Sequence, residues 1–145
     1  MWVTTHVLSG LALAAVLSAA GRPWWAILLV VLLAHVLMDL VPHWDYTVSR
    51  HPLAFSVLDF VASLLLFLAA WLALDWPFWL ALMGLVSGSP DWDVVVAELR
   101  GGDARKVFPS HWRSFPHGRS GPVWGIGVQV AIMAASVVAV LAAGP

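Results

Sequence analysis

His35, Asp39, His43 and Asp45 fall within eleven residues of a chain that otherwise carries few ionisable groups. His35 and Asp39 are four apart, so on a helix they share a face and can point at one ion. Imidazole and carboxylate donors suit a divalent cation such as zinc or manganese, and the chain has no cysteine to make a softer site. Other candidates are scattered along the chain. His6, Asp59, Asp91, Asp93 and His117 join His35 and Asp39 as possible ligands, for one ion or two. A pair of ions is a common arrangement for phosphoester hydrolysis.

The surroundings are apolar. Residues are 61% hydrophobic and 10% charged, where a soluble domain carries about a quarter charged. Mean hydropathy is +0.89, which points to an integral membrane protein. Ionisable groups within such segments are costly and default to a functional reading. The net charge of −1 offers no footprint for nucleic acid. Ten tryptophans suit anchoring at the headgroup level.

Apolar runs cover 2–20, 24–41, 53–74, 77–87 and 122–143, and most approach the ~20 residues of a spanning helix. They predict a single all-α membrane domain over 1–145, a bundle of about five transmembrane helices. Small residues near Gly21 resemble a signal-peptide cleavage site, but no basic segment precedes the run, so a retained first span is expected. The fourth run has 11 residues, about 16 Å of helix against a hydrocarbon core of ~30 Å. It meets a break between Gly88 and Pro90 and restarts over 90–100, with Ser89 as the expected N-cap. Broken helices at membrane depth are tolerated where they line a cavity.

Threading these spans back and forth places almost all acids and imidazoles at one end, with Asp75 alone at the other. Arg50, Arg100, Arg105, Lys106, Arg113 and Arg119 share the first end and Arg22 has the second, so the positive-inside rule makes the first end, with the N-terminus, cytoplasmic. Segment 108–121 packs His111, Arg113, His117 and Arg119 just before the last span. Arginine is the usual bidentate partner of phosphate, which suits Arg113 and Arg119 as a clamp. Ser120 and Gly121 ahead of Pro122 could offer backbone N–H groups to an anion. A basic loop touching anionic headgroups is the plainer reading. His43 or His111 could serve as general acid, while Asp45 and His51 suit partners that orient ligand imidazoles.

Thr5-His6, His35-Val-Leu-Met-Asp39 with Pro42-His43, Ser89-Pro-Asp-Trp-Asp93, and His111-Trp-Arg113 with His117 resemble motifs of the bacterial membrane-bound, metal-dependent hydrolase-like family. The resemblance implies a small multi-helix inner-membrane protein with a metal site. Here His-x-x-x-Asp precedes Pro-Asp-x-Asp, the reverse of the family's order, and Phe115-Pro116 stands where a threonine would precede the second histidine.

The expectation is a metal-dependent hydrolase acting on a phosphoester, such as a lipid headgroup, at the cytoplasmic leaflet of a bacterial inner membrane. Simple polar pairing between helices is the alternative for His35 and Asp39, and helix-dipole stabilisation is the alternative for Asp91 and Asp93. A second class is a non-enzymatic accessory subunit of a larger membrane complex, or a homo-oligomer, with histidines ligating haem or chlorophyll. A transport path is disfavoured because the polar groups lie at one depth.

Overall fold

A computed structural model of the chain describes residues 1–101, 106–112 and 114–144, with the Glu98 side chain excepted. It is an all-α bundle: α1 (Val3–Ala19), α2 (Trp24–Met38), α3 (Pro52–Ala73), α4 (Phe78–Gly88), α5 (Trp92–Leu99) and α6 (Pro122–Ala143). Prolines mark several starts. Pro52 and Pro122 occupy the first helical turn of α3 and α6, where a missing N–H costs nothing. Asp75 turns the chain between α3 and α4 with φ of 52°, a left-handed conformation that a short polar side chain tolerates.

The interruption in the fourth rod is gentler than a gap. Ser89–Asp91 forms one 3-10 turn between α4 and α5, and Gly88, Ser89 and Trp92 all keep right-handed helical angles. Ser89 is therefore not an N-cap: its hydroxyl donates back to the Val86 carbonyl at 2.8 Å. Tightening from α to 3-10 changes the rotation per residue, and this sets where Asp91 and Asp93 project.

Among the described residues, three helices are long and apolar enough to cross a membrane: Pro52–Ala73, Phe78–Ala97 (α4 and α5 together) and Pro122–Ala143. α1 and α2 are apolar but shorter, at 17 and 15 residues. Leu29, Leu33, Leu58, Leu65, Leu72 and Leu141 face outward and exposed, a surface that suits hydrocarbon rather than water. Exposed tryptophans band both ends: Trp24 and Trp79 at one, Trp92, Trp112 and Trp124 at the other.

α1 is the central rod and packs against α2, α3, α4 and α6. Its contact with α4 is close because small residues let the backbones approach. A Cβ at Gly84 would stand 2.6 Å from Leu11 Cγ and 3.1 Å from the Val7 carbonyl oxygen, and one at Gly88 would stand 2.9 Å from Val7 Cγ2. Val3, Val7, Leu11, Ile27, Val31 and Ala81 form the buried core beside this seam. The seam fixes the start of α1 against the 3-10 turn, which matters because both ends carry site residues.

Two sets of hydrogen bonds, one between backbones and one through a side chain, close the site end. Segment 39–43 pairs with 118–120: Gly118 N–H donates to Asp39 O (2.9 Å), His43 N–H to Gly118 O (2.7 Å), and Ser120 N–H to His43 O (2.9 Å). Buried Gln129 of α6 accepts from Trp2 N–H at 2.8 Å and donates to the carbonyls of Trp44 and Gly125 at 3.1 and 3.3 Å. Replacing Gly84 with Leu should force α1 from α4 and lower stability by about 1–3 kcal/mol, the cost of overpacking a close contact. Thermal melting in detergent checks this, and an unchanged midpoint would show that the seam is looser than described.

Candidate metal centre

His35 sits in the last turn of α2, and its Nδ1 lies 2.8 Å from the Ser87 carbonyl oxygen of α4. A carbonyl only accepts, so Nδ1 carries a proton and Nε2 is the nitrogen free to act as a ligand. Nε2 faces two carboxylates: Asp39 Oδ2 at 3.3 Å and Asp91 Oδ1 at 4.0 Å. His6 of α1 stacks on His35 with centroids 3.9 Å apart and planes 28° apart. Its Nε2 is 3.3 Å from Asp39 Oδ1 and 3.7 Å from Asp91 Oδ2. The α1–α4 seam and the 3-10 turn bring these two rings and two acids together.

The segment after α5 supplies a third imidazole. His111 Nδ1 donates to Asp93 Oδ1 at 2.6 Å, while Asp93 Oδ2 accepts the N–H groups of Val107 and Phe108, each at 2.7 Å. The ring is thereby fixed with Nε2 turned inward, 3.1 Å from Asp91 Oδ1 and 3.7 Å from Asp39 Oδ2. His43 and His117 repeat the pattern alongside. His43 Nδ1 lies 2.8 Å from the Val41 carbonyl and His117 Nδ1 lies 3.2 Å from the Ser110 carbonyl. Metal-ligating histidines characteristically spend one ring nitrogen on such a carbonyl or carboxylate, which fixes the tautomer of the other.

These donors fall into three sets whose ligand atoms lie within 4.8 Å of one another: His6, His35 and Asp91; His35, Asp39 and His111; Asp39, His43 and His117. His35 belongs to two sets, and so does Asp39.

Asp39 and Asp91 are buried at 0% and 5% exposure, where unpaired charge is costly. The Met1 amino group, 3.4 Å from Asp39 Oδ1, offsets part of one charge. The imidazole nitrogens facing these acids leave room for further positive charge. A proton supplies part of it at His111: burial opposes its charged form, but bonding to Asp91 and Asp93 outweighs burial and pushes its pKa up to about 9. That leaves His6 Nε2, His35 Nε2, His43 Nε2, Asp39 Oδ2 and Asp91 Oδ2 buried without a hydrogen-bond partner. Burial holds the pKa of His43 down at about 4 and lowers that of His117. These buried imidazoles and carboxylates could hold a metal ion.

Of the ligands expected from the sequence, His6, His35, Asp39, Asp91 and His117 converge. His43 and His111, expected as acids, lie among the donors. Asp93 stands behind His111, with both oxygens already engaged. Asp59 is elsewhere: its carboxylate accepts the N–H groups of Val3 and Thr4 at 2.6 and 3.0 Å, so α3 caps the start of α1. Arg119 is 64% exposed and its Nη2 is 3.8 Å from Asp45 Oδ2, at the rim of the site. Arg113 lies outside the described residues. Asp45 is held by Thr47, accepting its N–H at 2.9 Å and its hydroxyl at 2.7 Å. The sequence around Asp59 carries no signal for this role, which follows from α1 beginning at Val3 with no capping side chain of its own.

Two variants separate these roles. Asp93→Asn should weaken metal affinity about 10- to 100-fold, as expected when a group orienting a ligand imidazole is changed. Asp59→Ala should leave affinity unchanged and cost about 1–2 kcal/mol of stability, as loss of a helix cap does. Titration calorimetry and thermal melting read the two effects, and an affinity loss in Asp59→Ala as large as that in Asp93→Asn would show that Asp59 also acts on the ion. No protein-family model, curated protein or solved structure matches this chain, so its side-chain geometry carries the functional reading.

Proposed function

We propose that this chain is a membrane-embedded, metal-dependent hydrolase that cleaves a phosphoester, with a lipid headgroup at the cytoplasmic leaflet as its substrate class. The observation that carries the reading is the convergence of three imidazole Nε2 atoms, from His6, His35 and His111, on the carboxylates of Asp39 and Asp91. These five residues hold a divalent cation of intermediate hardness, zinc or manganese. When bound, such an ion lowers the pKa of a coordinated water and polarises a phosphoryl oxygen.

The chain's own groups do the remaining work. Asp93 fixes His111, and Ser87 fixes His35, so the donors are preorganised by hydrogen bonds on their outer sides. Arg119 is exposed at the rim, two residues from His117, where its guanidinium meets a phosphate group. The exposed Trp112 and Trp124 suit the headgroup layer. Basic residues gathered at this end support a cytoplasmic orientation in a bacterial inner membrane. The family resemblance of the motifs agrees with this reading.

A haem or chlorophyll ligand in an accessory subunit needs an imidazole facing a roomy apolar cleft. The Nε2 atoms here face carboxylates within 4.0 Å, which favours a hard cation over a macrocycle.

Protein purified in detergent should contain metal by elemental analysis and hydrolyse a model phosphomonoester, with EDTA abolishing activity and lowering the melting temperature. Asp39→Asn should insert into the membrane and lose bound metal; His35→Gln should behave likewise. Full occupancy in both variants, or metal-free wild type that melts identically with and without zinc, would overturn the proposal.

A further inference from the structure

The five donors described above leave His43 and His117 unexplained. His43 is fully buried, although it lies in a connecting segment where a polar ring has easy routes to solvent. Its Nδ1 is engaged by Val41, and its Nε2 has no partner at all. His117 stands edge-on to it with centroids 5.0 Å apart and planes at 74°, its own Nδ1 directed at the Ser110 carbonyl. The fold spends two backbone hydrogen bonds on this juxtaposition. Gly118 N–H to Asp39 O and His43 N–H to Gly118 O lock the residue after His117 to both Asp39 and His43. The approach is so close that a Cβ at Gly118 would collide with the carbonyl oxygens of Leu40 and Val41.

The donors also divide spatially. His43 and His117 share a set with Asp39, but neither shares one with His6, His35, Asp91 or His111. One ion cannot take all seven donors, and zinc sites use about four. Asp39, with two oxygens, stands between the groups.

The geometry points to a second divalent cation held by Asp39, His43 and His117, with the Asp39 carboxylate bridging it to the first. It rests on the metal-site reading above, because Asp39 serves both ions. It also sharpens the substrate class, since paired cations clamp the attacking and leaving oxygens of an in-line displacement at phosphorus. The second ion lies on the side of the site nearer Arg119, which comes two residues after His117.

The test is manganese binding to the full chain in detergent, read by stoichiometry and by electron paramagnetic resonance. Wild type should bind two Mn²⁺ per chain and give the exchange-coupled spectrum of a bridged pair. His43→Ala and His117→Ala should each bind one and give the uncoupled six-line signal, with circular dichroism confirming that the helices persist. One ion per chain in wild type, with an uncoupled signal, would overturn the second site and leave the first intact. Two ions retained in both variants would also overturn it. No bound manganese in wild type would remove the first site and this one together. The wild-type spectrum decides the matter even if a variant fails to fold.

Discussion

Two buried carboxylates facing imidazole nitrogens are the constraint around which the rest of this protein is arranged. Asp39 and Asp91 come from different rods, and neither has an arginine or lysine beside it among the described residues. Charge buried without a full complement of cations is among the more expensive things a fold can contain. The surrounding architecture holds that arrangement in place: a close α1–α4 seam, a backbone pairing between 39–43 and 118–120, and a glutamine that ties α6 to the start of α1. Each of these lies on the outer side of the donors.

The hydrogen bonds behind the rings are as informative as the atoms in front. Four imidazoles, His35, His43, His111 and His117, each commit Nδ1 to a carbonyl or carboxylate. A histidine that only filled space would satisfy whichever nitrogen was convenient. Four rings that commit the same nitrogen leave four Nε2 atoms beside Asp39 and Asp91, an arrangement that could hold metal. The same logic demotes Asp93 and Asp59, whose oxygens are fully engaged by N–H groups and by His111.

Much of the fold is legible from residues alone, because apolar runs bounded by Gly, Pro and Asp report helices directly. Threading those runs alternately gathers acids and imidazoles at one end, and His6, His35, Asp39 and Asp91 meet there within 4.0 Å. Other features are hidden because they depend on contacts remote in sequence. Asp59 resembles a ligand by its position in the second turn of α3; only the proximity of α1's uncapped N–H groups shows what it binds. Asp93 cannot be told from a ligand until the 107–111 segment folds back onto it. The Ser89 turn reads as a break since proline and glycine punctuate helices, yet the helical angles persist through it. Gly84 and Gly88, four apart, carry a visible small-residue signal for a tight helix seam.

The central claim is a cation coordinated by these imidazoles and carboxylates. X-ray absorption spectroscopy of the zinc-loaded protein tests it most directly. Nitrogen and oxygen neighbours are predicted at roughly 2.0–2.1 Å, with the outer scattering features of several imidazole rings. A spectrum of oxygen neighbours alone, with no imidazole scattering, would contradict it.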